Sequence, residues 1–213
     1  MDLTHDPDAP WMRLAFEDAE RALQLEEVPV GCVLVAPDEH GTLRVLARGH
    51  NWTNATLNAT QHAEFLALRD LLGDSAVPPG TVLYVTVEPC VMCAAALRLV
   101  GVETVIYGTG NDRFGGNGSV LDLGGNPSLP RASAVAGAAA PASSAPPPVE
   151  AIASEIRALA LPGRPYTSRR AANAAVWAVE AVLLLRRFYL RENVSAPKPK
   201  LKAGRVLHEH VDI

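Results

Sequence analysis

The sequence predicts an α/β layered domain, and three observations carry that reading. Valine-rich apolar runs of strand length alternate with segments of helical periodicity. Helices between successive strands require at least some parallel pairing. An early strand pair separated only by a short turn reads as an antiparallel hairpin.

The elements follow in order. Residues Pro10 to Glu27 form an amphipathic helix, because Met12, Phe16, Ala19 and Leu23 recur at helical spacing among acids and Arg21. VPVGCVLV, Val28 to Val35, is a continuous apolar run and reads as a buried strand. DEHG turns the chain into a second strand, Leu43 to Gly49. A polar loop, HNWTNATLN, leads to a helix over Thr60 to Leu72, with Phe65, Leu68 and Leu72 on one face. DSAVPPG stops it. Thr81 to Val87 is a strand, Pro89 to Val100 a helix, and Val102 to Tyr107 another strand. Gly115 to Asn126 is glycine-rich loop.

Beyond this the composition changes. From about Arg131 to Val149 the chain is Ala, Ser and Pro, which cannot bury a core. Helical periodicity returns over Ser168 to Asn193, with Val176, Val179, Leu183 and Phe188 in it. The expected organisation is a core at 10–125, a disordered insertion at 126–166, a helix at 167–193 completing the domain, and a basic tail at 194–213.

Of the 213 residues, 48% are apolar and 20% charged, as in ordinary soluble domains. Three cysteines cannot build a disulfide framework, and the acidic start MDLTHDPDAPW is no signal peptide. The longest apolar run, Ala171 to Leu185, contains Asn173 and Glu180 and is too short and polar to span a bilayer. The expectation is no membrane and an intracellular, reducing compartment, nucleus or cytoplasm. Net charge is −4, yet residues 164–205 hold ten Arg or Lys against two acids. Such a basic end suits an anionic partner, or is simply a solvated surface with a mobile tail.

VEPCVMC holds two of the three cysteines. In a helix, positions three apart share a side, so Cys90 and Cys93 can reach one ion. Pro89 suits a first helical turn, and the helix dipole favours thiolate. Structural zinc takes four protein ligands, and the chain has no second CxxC. A catalytic zinc takes three and keeps one position open. The third ligand should be a histidine near another helix start, and His62 in QHAEF fits. Glu64, two residues on, can reach over the same helix end and address a water at the metal. Alone, CxxC could be a redox pair and HxE is close to noise. Together they make H-x-E … P-C-x-x-C, which resembles the zinc nucleobase deaminases. Cys32, in an apolar strand, reads as a core residue, and histidines 5, 40, 50, 208 and 210 as surface groups.

VPVGCVLV, GHNWTNATLNATQHAE, TVEPCVMCAAALRL, NDRFGGNGSVLDL and RRFYLRENVSAPKPK narrow the resemblance. The chain resembles the catalytic-subunit family of the eukaryotic heterodimeric tRNA adenosine deaminases, which make inosine at the anticodon wobble position. The resemblance implies the three-layer cytidine-deaminase-like fold, a central mixed sheet flanked by helices. It implies one zinc ion per chain on His62, Cys90 and Cys93, with Glu64 shuttling protons. It implies that Asn51 hydrogen-bonds the target base and that Val30 lines its pocket. The implied partners are tRNA and a paralogous non-catalytic deaminase-fold subunit in a heterodimer. The catalytic member keeps the glutamate, as Glu64 is kept here.

An anticodon loop presents an accessible base, and the phosphate backbone should supply salt-dependent affinity. Arg186, Arg187, Arg191, Lys198, Lys200 and Lys202 are the expected tRNA contacts. Few aromatics are present, so recognition should lean on shape and charge rather than broad stacking. The competing readings are a deaminase of free nucleotides or bases, a non-catalytic zinc-containing RNA-binding subunit, and a structural zinc protein. Activity on free nucleosides would support the first. Glu64 discriminates the second, and the missing fourth ligand disfavours the third.

Overall fold

The computed structural model describes residues 3–72, 76–125, 165–191 and 205–211. In chain order the elements are α1 (Ala9–Gln24), β1 (Gly31–Pro37), β2 (Leu43–His50), a short α2 (Thr53–Thr56), α3 (Ala63–Leu72), β3 (Val82–Val87), α4 (Val91–Val100), β4 (Thr104–Thr109), β5 (Thr167–Arg170) and α5 (Ala174–Leu190). The strands form one five-stranded sheet in the order β2-β1-β3-β4-β5. β1 is antiparallel to both β2 and β3, whereas β3, β4 and β5 run parallel. The sheet is therefore mixed, as expected, and helices cover both of its faces.

The continuous valine runs now have a physical reason. Successive side chains point to opposite faces, and here both faces are dry. Val33, Val35, Tyr84 and Ile106 pack with α1 and α5 through Met12, Phe16 and Trp177. Cys32, Leu34, Leu83, Val85 and Val105 pack on the other side against Ala63, Ala67 and Leu97 of α3 and α4. Cys32 is fully buried, a core residue as expected. Glycine at 49 lets α3 lie directly on β2: a Cβ there would sit 2.2 Å from the Ala63 carbonyl oxygen.

Four expectations need correction. Residues 167–170 are not helical. They form an edge strand whose register, Thr104 to Thr167 and Tyr107 to Arg170, is set by β4. That pairing is non-local, so periodicity within the segment could not reveal it. Asn173, at φ 55°, then turns the chain into α5. The buried face of α5 is Trp177, Ala178, Ala181, Leu184 and Phe188, so Val176, Val179 and Leu183 stand at its margins. Tyr166, expected in the insertion, is 3% exposed, and its hydroxyl pairs with the Asn117 side chain. Residues 126–164 of that segment lie outside the described residues. His50 is buried rather than superficial, its Nδ1 3.0 Å from the Asn51 carbonyl oxygen and its ring stacked on Trp52. Among the described residues, no helix is long and apolar enough to cross a membrane.

Candidate active site

Two helix beginnings meet at the carboxyl end of β3. The first is that of α3. Asn51 follows β2 directly, and its Oδ1 accepts the Ala63 N–H at 2.8 Å. The His62 carbonyl accepts the Leu66 N–H at 3.1 Å, which puts His62 at the cap and Glu64 in the first turn. Both side chains reach over the helix end, as the two-residue spacing requires.

The second is that of α4. Cys90 is its cap residue, in extended conformation, and its carbonyl accepts the Ala94 N–H at 2.8 Å. Cys93 lies one turn on. Pro89 is thus not in the first helical turn but one residue before the cap. The cause is a β-bridge between Cys90 and Gly115, which holds the chain extended there. The Pro89 carbonyl accepts the Gly116 N–H at 2.8 Å instead.

His62, Cys90 and Cys93 offer ligand atoms that all lie within 4.8 Å of one another. The His62 Nδ1 is 3.6 Å from the Cys90 sulfur and 3.5 Å from that of Cys93. Tetrahedral zinc, with its usual N and S bond lengths, requires N···S edges of about 3.5 Å. The donor set therefore fits zinc in both chemistry and geometry, and it leaves one position for a non-protein ligand.

The electrostatics agree. Cys93 and His62, hydrogen-bonded to the Cys90 sulfur, hold that thiol down at about 4 against the opposing effect of burial. Cys93 moves upward, because its partner thiolate and its own burial favour the protonated form. The pair thus keeps one proton that a cation would displace. Hydrogen bonding to Cys90 raises His62. Glu64 is 3% exposed, and burial raises its carboxyl above the ordinary range.

Val30, Asn51, His62, Glu64 and Cys90 line one cavity of about 810 Å³. The structure brings together every residue expected of metal, proton transfer and base pocket. The basic residues are dispersed. Arg187 is exposed on α5, whereas Arg191 donates to the Leu23 carbonyl at 2.9 Å. Arg186 donates to the His208 and His210 carbonyls of the 205–211 segment. Lys198, Lys200 and Lys202 lie outside the described residues.

Sequence reasoning missed the cavity rim. Phe114, 62% exposed, and Tyr189, 55% exposed, both line its mouth, so aromatic surface is present despite the scarcity of aromatics. It also missed Glu88, which is buried beside the cavity. The available signal was a lone acid closing a buried strand, immediately before Pro89.

Comparisons with known proteins agree with this geometry. The cytidine and deoxycytidylate deaminase zinc-binding region matches residues 6–109. The tRNA-specific adenosine deaminase 2 of Danio rerio is 40% identical over 90% of this chain and 75% of its own length. The tRNA-specific adenosine deaminase subunit tad2 of Schizosaccharomyces pombe is 38% identical over 94% of this chain, which spans only 42% of that relative's length. The crystal structure of NE0047 in complex with 2,6-diaminopurine shares the fold, with a TM-score of 0.51 at 20% identity over 84% of this chain and 79% of that one. His62, Cys90 and Cys93 are the zinc-binding triad of the deaminase domain. With a relative this similar over most of both lengths, the chain belongs to the tRNA-specific adenosine deaminase 2 family.

Proposed function

We propose that this chain deaminates adenosine to inosine hydrolytically at the wobble position of tRNA anticodons. The observation that carries the proposal is the buried Glu64 carboxyl lining the same cavity as His62 and Cys90 of the metal-ligating triad. The names of the Danio rerio and Schizosaccharomyces pombe relatives support the substrate class.

Zinc held by His62, Cys90 and Cys93 would supply Lewis-acid chemistry, lowering the pKa of water toward ~7. The chain's own residues do the rest. Glu64, at an elevated pKa, takes the attacking water's proton on a carboxylate oxygen and delivers it to the purine ring nitrogen. The water's second proton leaves with the exocyclic amine as ammonia, so adenosine and water become inosine and ammonia. Asn51 orients the base. Its Oδ1 is committed to the Ala63 N–H, which leaves the Nδ2 group to donate into the cavity. Val30 closes one wall. The cavity admits a base that is splayed out rather than stacked, which an anticodon loop provides.

The same reading includes an intracellular heterodimer with a deaminase-fold subunit that lacks the glutamate, and phosphate contacts from Arg186, Arg187, Arg191, Lys198, Lys200 and Lys202. The test is inosine formation at the wobble adenosine of unmodified tRNA, by this chain alone and co-expressed with a candidate partner. Editing only with the partner is the expected result. Editing alone would remove the heterodimer from the reading. Turnover of free nucleosides with no tRNA editing would replace the function with that of a free-base or nucleotide deaminase.

A further inference from the structure

Two buried carboxyl groups face the cavity, and only Glu64 has a role so far. Glu88 is the other, 1% exposed at the end of β3. Its Oε1 accepts the N–H groups of Asn117 at 2.9 Å and Ser119 at 3.1 Å. Its Oε2 accepts the Asn111 N–H at 3.0 Å and the Ser119 hydroxyl. The four donors come from one loop, residues 111–119, and satisfy a charge that burial would otherwise make costly.

That loop is the cavity rim. It carries Arg113 and Phe114, both cavity-lining and both exposed. The loop is also tied to the metal-bearing helix, because the Phe114 carbonyl accepts the Val91 N–H at 2.8 Å. Gly115 packs against the carboxylate so tightly that a Cβ there would lie 2.6 Å from the Glu88 Oε1. Loop and carboxylate are therefore built to fit each other. With both oxygens held by protein donors, Glu88 is unavailable to the base.

We propose that Glu88 is a positioning residue: its carboxylate is the template on which the 111–119 rim loop folds, and through Arg113 and Phe114 it sets affinity for a polynucleotide substrate. The second half of this inference rests on the tRNA reading above. Arg113 offers a cation to phosphate and Phe114 an open ring to a neighbouring base, so both act on nucleotides flanking the target. A free nucleoside has no such neighbours.

The test compares wild type, Glu88→Gln and the milder Ser119→Ala in the full chain, co-expressed with its partner if one is needed. Glu88→Gln turns an amide NH₂ toward backbone donors, and Ser119→Ala deletes one donor. Three readouts are taken: the rate of tryptic cleavage after Arg113, zinc content, and Kd and KM for tRNA beside kcat. Loosening of the loop should raise cleavage after Arg113 roughly tenfold in Glu88→Gln and less in Ser119→Ala. Kd and KM for tRNA should rise together by about tenfold, with kcat changed by less and zinc retained. Unchanged cleavage in both variants overturns the template role. Faster cleavage with unchanged Kd and KM overturns the link to substrate affinity. A wild type that neither binds nor edits tRNA overturns the functional reading and that link, while the cleavage rates still decide the template role. If Glu88→Gln fails to fold, Ser119→Ala decides the same points.

Discussion

Asn51 caps the helix that begins between His62 and Glu64: its Oδ1 accepts the Ala63 N–H at 2.8 Å. Ala63 stands between His62 and Glu64, so this hydrogen bond fixes the backbone between the two. This makes Asn51 separable by mutation. Asn51→Asp keeps a capping oxygen, whereas Asn51→Ala loses it at a cost of about 1 kcal/mol. Both remove the amide donor, so both should lose deamination, and only Asn51→Ala should also lower Tm. Thermal unfolding beside inosine formation checks this. Full activity in Asn51→Asp removes Asn51 from base recognition.

Glu64→Ala should lower kcat by roughly 10²–10⁴ while zinc content stays at that of wild type. Metal analysis on the same sample separates this from loss of the ion. Wild-type editing by the variant would assign proton transfer to another group and favour a non-catalytic RNA-binding subunit.

His62→Ala or Cys90→Ala should lose zinc and activity together. A chelator should reproduce the effect on wild type and lower its Tm, because the ion binds the folded site and stabilises it by mass action. Restoring zinc to the chelated protein should restore both. A Tm indifferent to chelation would separate the metal from the fold.

Acid stability should depend on Asp8, which is buried at the start of α1. Burial alone would raise its pKa. The Arg169 guanidinium, at 2.7 and 2.9 Å, and the Ala172 N–H, at 2.7 Å, outweigh it and hold the carboxyl below 3.8. A group depressed in the folded state contributes stability above its unfolded pKa and loses it as pH falls through its folded one. Asp8→Asn should therefore be less stable than wild type near neutrality and should flatten the stability–pH curve below about pH 4. Arg169 is half exposed, so the loss at neutrality should be about 1–2 kcal/mol. Denaturant titrations across pH measure it, and parallel curves for the two proteins would contradict it.

If the basic end holds phosphate, deleting residues 194–213 should weaken tRNA binding and reduce its salt dependence. Arg187→Ala should reduce the slope of log affinity against log salt by about 1, because this exposed side chain neutralises at most one phosphate. Equal slopes for wild type and both variants would place the phosphate contacts elsewhere.

Much of this protein was legible in the sequence by itself. Continuous apolar runs of strand length and helices of period 3.6 are local signals, and they located the elements of the core and the buried Cys32. His62, Cys90 and Cys93 were legible because metal chemistry demands those side chains beside helix starts. What only the tertiary structure decided is non-local. β5 is a strand because β4 pairs with it, and nothing within Thr167–Arg170 signals that. His50 is buried because α3 and Trp52 close over the end of β2, and Tyr166 because Asn117 receives its hydroxyl. Glu88 carries no motif of its own. Its place emerges only when a loop 23–31 residues further along the chain folds its amides onto one carboxylate. Periodicity and spacing report what a residue does with its near neighbours, whereas hydrogen bonds and packing between distant segments exist only once the chain has folded.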